Sequence, residues 1–226
     1  EPIVNRKYEG EWIDGKYHGK GVYSSGDGDV YSGYFANGLY QGNGLLKHKN
    51  GDTTRGSWSR GHPNGDIKIN FHNGDQYIGE MLNGKKHGKG KFTFCNEKGY
   101  YEGTYANDFA HGRGVRIYLD GSKYVGEYSE GEIHGEGMMF YANGDQYLGQ
   151  WMNGHRDGKG VLRMTYGDSY EGHFKNGAFY GEGKYVYADG GYYSGEFKNV
   201  RKNKHSEDPD NVGLPLTDGQ RHGFGV

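Results

Sequence analysis

The sequence predicts an all-β protein, built as an elongated single-layer array of consecutive antiparallel β-hairpins. Three observations carry that prediction. One unit recurs in register at a spacing of 23 residues, with a single step of 24. Within each unit, side-chain character alternates with a period of two, the signature of a strand with two unlike faces. Between the alternating segments stand Asn-Gly and Asp-Gly dipeptides, which supply the positive φ angles that a tight hairpin turn needs.

Each copy opens on a short strand with tyrosine first, glycine third and an aromatic fifth, as in Tyr8-Glu9-Gly10-Glu11-Trp12. Further copies start at Tyr31, Thr54, Tyr77, Tyr101, Tyr124, Tyr147, Tyr170 and Tyr193. The third position is glycine in every copy, and the fifth is aromatic in all but one, where Met81 stands. A turn follows (Asp14-Gly15, Asn37-Gly38, Asn83-Gly84), and then a second strand that begins Gly-x-Gly, as in Gly19-Lys20-Gly21, and continues with alternating apolar residues such as Phe92 and Phe94. A second turn, Asn73-Gly74-Asp75 or Asn143-Gly144-Asp145, leads to the next tyrosine. This organises the chain as a flank, 1–7, and nine repeats: 8–30, 31–53, 54–76, 77–100, 101–123, 124–146, 147–169, 170–192 and 193–226. The last copy carries an insertion over 200–218 that reads as an exposed loop. The chain opens Glu1-Pro2-Ile3 and stops at Val226 in mid-repeat, so it reads as a fragment whose final strand is covered by more sequence or by another molecule.

Composition agrees. Of 226 residues, 45 are glycine, a density that would cost a helix about 1 kcal/mol at each occurrence. Leu, Ile, Val and Phe make up only about 16% of the chain, so the buriable area comes largely from rings, 22 of them tyrosine. Net charge is -2, too small for the charge-driven disorder that so few aliphatics would otherwise suggest. No apolar run approaches the ~18 residues of a membrane-spanning helix. Cys95 is the one cysteine, which excludes an intrachain disulfide framework and is compatible with a reducing, cytoplasmic setting.

The run Tyr8-Glu9-Gly10-Glu11-Trp12-Ile13-Asp14-Gly15-Lys16-Tyr17-His18-Gly19-Lys20-Gly21 resembles the MORN repeat, the membrane occupation and recognition nexus. The resemblance implies a twisted β array with one grooved face, used as a protein scaffold and sometimes proposed to contact phospholipid, and it suggests a cytoskeletal or ciliary assembly. Three departures stand out: Thr54 for the first tyrosine, Ile67 for the second glycine of Gly-x-Gly, and Asp108 for a turn glycine. They predict that the array loses regularity near residues 54–76.

The residues that invite a chemical reading have structural ones. His18, His87, His111, His134 and His222 share one repeat position, but one ring per hairpin makes no ligand cluster, so they read as hairpin-end hydrogen-bonding residues and no metal is expected. The Gly-x-Gly motifs precede no helix that could receive a phosphate, so no nucleotide or other cofactor is expected. Glu11, Glu80, Glu127 and Glu196 repeat along a strand face, whereas catalysis needs unlike groups converging, so no catalytic residue and no enzyme is predicted. Lys85, Lys86, Lys89 and Lys91 are the candidate lipid contact, but a near-neutral chain predicts weak or no binding to membrane lipid, and no nucleic acid.

The reading is therefore a non-enzymatic scaffold. Its partner would be a protein, an amphipathic helix or an extended segment lying along an aromatic groove. The expected groove residues are those of the central copies, Tyr101, Tyr105, Tyr124, Tyr128, Tyr147 and Trp151, on a ring face partly self-packed and partly open. The array ends are candidate edges for a homodimer. The alternatives are a targeting or regulatory region of a larger enzyme, or a phospholipid-contacting tether.

Overall fold

The computed structural model describes residues 6–96 and 98–200, with the side chains of 199 and 200 excepted. These fold as seventeen strands of one antiparallel sheet, and among the described residues there is no helix. The chain divides into two units, residues 1–112 and 113–226. In the first, the hairpins are β1 (Lys7–Ile13) with β2 (Lys16–Ser24), β3 (Val30–Ala36) with β4 (Leu39–Lys47), β5 (Thr53–Ser59) with β6 (His62–Asn70), and β7 (Gln76–Leu82) with β8 (Lys85–Phe94), followed by β9 (Gly99–Ala106). The division falls within β10 (Phe109–Ile117). The second unit continues with β11 (Lys123–Ser129), β12 (Glu132–Phe140), β13 (Gln146–Met152), β14 (His155–Arg163), β15 (Ser169–Lys175), β16 (Ala178–Val186) and β17 (Tyr192–Val200). Within each unit, sequence neighbours pair with one another, so the predicted all-β ladder of hairpins is the fold observed.

The turns have the predicted conformation. Asp14 and Gly15 both take positive φ, 49° and 71°, as a two-residue type I′ turn requires. Asn107 and Asp108 hold the same conformation without glycine, at 51° and 76°. The Asp108 carboxylate accepts the Lys86 N–H at 2.8 Å, which compensates for the missing glycine. Midway along each hairpin the register shifts, as between Gly10 and Glu11, because the second strand carries extra residues there. The first glycine of Gly-x-Gly absorbs that shift at positive φ (58° at Gly19), and the freed Lys20 N–H donates to Glu11 Oε1 at 3.1 Å. Lys89 donates likewise to Glu80, and Lys159 to Gln150, at 3.0 and 2.9 Å. The recurring glutamate is thus a backbone acceptor at the irregularity.

The first-position tyrosine explains the glycines. Gly10 pairs with Gly21, and Gly126 with Gly137, so two bare backbones face each other across the hairpin. The ring lies over that pair: a Cβ at Gly90 would sit 2.6 Å from the Tyr77 hydroxyl oxygen and one at Gly21 2.6 Å from Tyr8 Cε2, closer than real contacts allow. Each hydroxyl then donates to the backbone carbonyl three residues on, Tyr77 to Glu80 at 2.7 Å and Tyr147 to Gln150 at 2.9 Å. The fifth-position ring stands edge-on to its own tyrosine and to that of the preceding copy. Phe35 meets Tyr31 and Tyr8, both at 5.1 Å, and Trp151 meets Tyr147 at 5.1 Å and Tyr124 at 5.5 Å.

The expected irregularity at 54–76 is confined to Gly56, whose φ of 143° is positive where the other third-position glycines are not; β5 and β6 still pair through the same register shift as the other hairpins. Two departures cancel. Gly56 faces Ile67, and the Ile67 Cδ1 atom lies 2.9 Å from where a Gly56 Cβ would be, filling the space that a tyrosine ring takes elsewhere. Thr54, the shorter residue at the tyrosine position, leaves that space to it. Both are buried, at 5% and 3% exposure.

Adjacent hairpins are tied by side-chain acceptors at both ends. The second-turn aspartates Asp29, Asp52, Asp75, Asp145 and Asp168 each accept a backbone N–H from the next hairpin at 2.7–3.0 Å. At the position shared with the histidines, Gln41, Asn64 and Asp157 accept the N–H of Arg60, Asn83 and Asn176 at 3.1–3.2 Å. His222 and the insertion after Val200 lie outside the described residues.

Candidate binding faces

The alternation gives the sheet a ring face and an outer face. All six residues expected to line an open groove lie on the ring face and are buried: Tyr124 and Tyr147 have no exposed surface, and Tyr128 only 7%. Tyr101, Tyr105 and Trp151 are equally closed. Each is sealed by neighbouring rings and belongs to the core of its own unit, and a half-open groove at these residues is not what the structure presents. Trp12 in the first hairpin shows what lateral sealing does, since its ring remains 56% exposed.

Burial pushes the hydroxyls of Tyr31, Tyr101 and Tyr170 up to about 12, and those of Tyr77, Tyr124 and Tyr147 further. The cause is loss of solvent around the phenolate. These are neutral hydrogen-bond donors with no acid–base use near neutrality.

Apart from Tyr8 and Trp12, the accessible apolar surface of the ring face in the first unit belongs to the second strand of each hairpin. Tyr23, Leu46, Ile69 and Phe92 pair with Tyr31, Thr54, Tyr77 and Tyr101 across the following strand and are half-buried. Of their counterparts in the second unit, Met139, Leu162 and Tyr185 are closed at 8%, 6% and 2% exposure, while Arg116 is half-buried. Sequence reasoning missed these four because the motif does not fix them; the signal available was their parity with the tyrosines.

A further ring-face position follows the first turn. Tyr17, Tyr40 and Phe179 stack on the tyrosines of their own copies at 4.0, 3.7 and 3.9 Å. The same position in two other copies carries a cation: Lys86 lies over Tyr77, Phe92 and Tyr105, and Arg156, 2% exposed, lies over Tyr147 and Phe174. Burial pulls the Lys86 ammonium below the usual lysine range, with Asp108 opposing.

The four lysines named as the candidate lipid contact therefore do not form one patch. Lys86 turns to the rings opposite Met81, and Lys91 bonds Glu102 at 3.1 Å over the Tyr100 ring, so Lys85 and Lys89 remain. No group of three or more His, Cys, Asp or Glu residues suited to a metal occurs among the described residues. An open depression lined by Asp29, His48, Lys49 and Asn50 is part of the hairpin tie already described, with Asp29 accepting the Lys49 N–H.

The sequence pattern of the MORN repeat matches residues 8–30, 31–53, 77–97, 101–123, 124–146, 147–168, 170–192 and 217–226. The chain belongs to the MORN-repeat family. The one internal copy left unmatched, 54–76, is the one in which isoleucine has replaced the tyrosine–glycine pairing. No curated protein sequence matches the chain. Among solved structures it is similar to the TCP domain of Drosophila melanogaster SAS-4 in complex with a proline-rich motif of Ana2, at 10% identity and a TM-score of 0.43, covering 69% of this chain and 85% of that one. It is also similar to the TCP10 domain of Danio rerio CPAP, at 12% identity and a TM-score of 0.45, covering 86% and 91%. Likeness at that level carries no functional argument.

Proposed function

We propose that this chain is a non-enzymatic scaffold in a cytoplasmic, cytoskeletal assembly, and that it binds a protein segment along the ring face of its first unit. The observation that carries this is the band Tyr23, Leu46, Ile69 and Phe92, half-buried side chains over a floor of sealed rings. They stand on alternate strands, β2, β4, β6 and β8, hence about 9.6 Å apart. One turn of polyproline II advances about 9.3 Å and returns every third side chain to the same face, so a partner in that conformation with an apolar residue at every third position meets each member of the band, whereas in a β-extended segment residues three apart point to opposite faces. A helix would match it less evenly. An exposed free thiol at Cys95 supports a reducing compartment, and recurrent structural use of every motif residue supports a binding role over a catalytic one.

The test is selection from a random peptide library on the intact chain, followed by affinities for Leu46→Glu with Ile69→Glu. Enrichment of extended sequences with a three-residue apolar period, lost at least tenfold in that variant, is the expected result. Enriched peptides that bind the variant as well as the parent would refute the site.

A further inference from the structure

The outer face of the second unit carries a feature that neither the motif nor the ring face accounts for. Val125 on β11 lies opposite Met138 on β12, Met138 opposite Leu148 on β13, and Leu148 opposite Val161 on β14. Four apolar side chains thus stand in one line across four strands, on the face away from the rings. Val125 is 38% and Leu148 47% exposed, while their strand neighbours Tyr124 and Tyr147 are fully buried. The line ends after β14, because Val161 pairs with Glu171, and Glu171 with Lys184. In the first unit the same row is broken by Arg55 facing Lys68.

The flanks are charged and unlike. On one side run Lys123, Phe140, Gln146 and Arg163, in register across the same four strands. On the other side are Glu127, with Arg113 Nη2 4.0 Å from its Oε1, and Glu136, then Gln150 and Lys159, so this flank carries its acids over β11 and β12. Lys123, Arg163 and Glu136 are exposed.

We propose that this stripe is a second protein-binding surface, and that its occupant is an amphipathic helix lying across the strands, with an acidic edge toward Lys123 and Arg163 and a basic edge toward Glu127 and Glu136. Spacing selects the helix. Strands are about 4.8 Å apart, so the four side chains fall at about 0, 5, 10 and 14 Å along the stripe. Helix positions i, i+3, i+7 and i+10 fall at about 0, 4.5, 10.5 and 15 Å and share one face. An extended segment repeats a face about every 6.8 Å and drifts out of step after one contact. Polyproline II, at about 9.3 Å per turn, reaches only alternate strands. The two charged flanks then fix the direction in which the helix lies. This surface is independent of the ring-face reading, and either stands if the other fails.

The probes are synthetic peptides of about 18 residues, titrated against the intact chain by fluorescence anisotropy. One is a helix with leucines at i, i+3, i+7 and i+10, glutamates along one edge and lysines along the other. A second has lysines on both edges, a third has glutamine in place of the leucines, and a fourth is proline-rich and extended. The mixed-edge helix is expected to bind best, and the glutamine peptide at least tenfold more weakly. Leu148→Glu, at an exposed position, should abolish binding of the mixed helix while leaving the sheet's circular dichroism intact. Lys123→Glu with Arg163→Glu makes both flanks acidic and should invert the preference, so that the all-lysine helix binds more tightly than the mixed one. Binding by none of the helices, mixed-helix binding unmoved by either variant, or preference for the proline-rich peptide at this site would each overturn the proposal.

Discussion

The exchange of a tyrosine–glycine pairing for a threonine–isoleucine one in the third hairpin can be tested as a thermodynamic coupling. Ile67→Gly removes four carbons from a side chain 3% exposed, worth about 3 kcal/mol at ~0.8 per methylene, and adds about 0.5–1 for a strand glycine. The single variant should therefore lose about 4 kcal/mol. Thr54→Tyr alone drives a ring into the space held by the Ile67 side chain, whose Cδ1 already lies 2.9 Å from a Cβ position on Gly56, and overpacking of that kind costs about 1–3 kcal/mol. Independent effects would sum to about 5–7 kcal/mol. The double variant, however, rebuilds the arrangement of the other copies, with a tyrosine over two glycines, and should return to within about 2 kcal/mol of the parent. The assay is equilibrium urea unfolding of all four proteins, with m compared first because repeat arrays can lose two-state behaviour. In thermal terms Ile67→Gly should fall by about 8–16 °C, at roughly 2–4 °C per kcal/mol for a chain this size, and the double variant should recover most of it. A double variant that loses the sum of the two singles would refute the idea that ring and glycine are one packing unit.

Three other outcomes follow from the same packing. Gly126→Val should cost more than an ordinary overpacked core position, above about 3 kcal/mol by urea unfolding, because its Cβ would sit 2.6 Å from the Gly137 Cα, and that backbone is held by its partner strands. Trp58→Ala should cost about 3–5 kcal/mol, since the ring is 4% exposed and stands edge-on to the stacked Tyr31 and Tyr40, whereas Trp12→Ala at 56% exposure should cost less than half as much in the same measurement. Acid should act through Asp52, whose carboxyl is held down to about 2, first by the His72 backbone N–H and then by further hydrogen bonds; its contribution is complete above about pH 4 and lost as pH falls through about 2, so Asp52→Asn should flatten the stability profile across that window.

Much of this fold was legible because the signals that specify a hairpin are local. Tyr8, Gly10 and Trp12 fix strand parity, and Asp14-Gly15 fixes the turn and with it the register. What alternation does not contain is how far neighbouring copies close over each other. Tyr124 has the same parity as it would on an open face, yet Tyr128 and Trp151 stand edge-on at 5.3 and 5.5 Å and leave it no surface. That closure requires the next copy to be placed in space. The compensation at Thr54 and Ile67 was hidden for a similar reason: each residue departs from the pattern when read alone, and only their meeting across the β5–β6 register makes one the reason for the other. Parity could have separated the lysines, since Lys86 lies opposite Met81 while Lys85 lies opposite Leu82.

The residues that make this chain a MORN array are therefore poor candidates for recognising a partner. The first tyrosine is committed to a glycine pair and a carbonyl, the fifth ring to two tyrosines, the fourth-position Glu11 and Glu80 to a freed N–H, and the turn aspartate to the next hairpin. Changing any of them perturbs the array before it perturbs a surface. Specificity has to reside where the repeat leaves the residue open: on the ring face in the second strand, as at Leu46 and Ile69, and on the outer face in the row through Val125 and Leu148. Those positions differ from copy to copy, apolar here and charged at Arg55 and Lys68, while the backbone beneath them keeps its register. A ladder of this kind can present a different surface on every rung without altering the contacts that hold the rungs together.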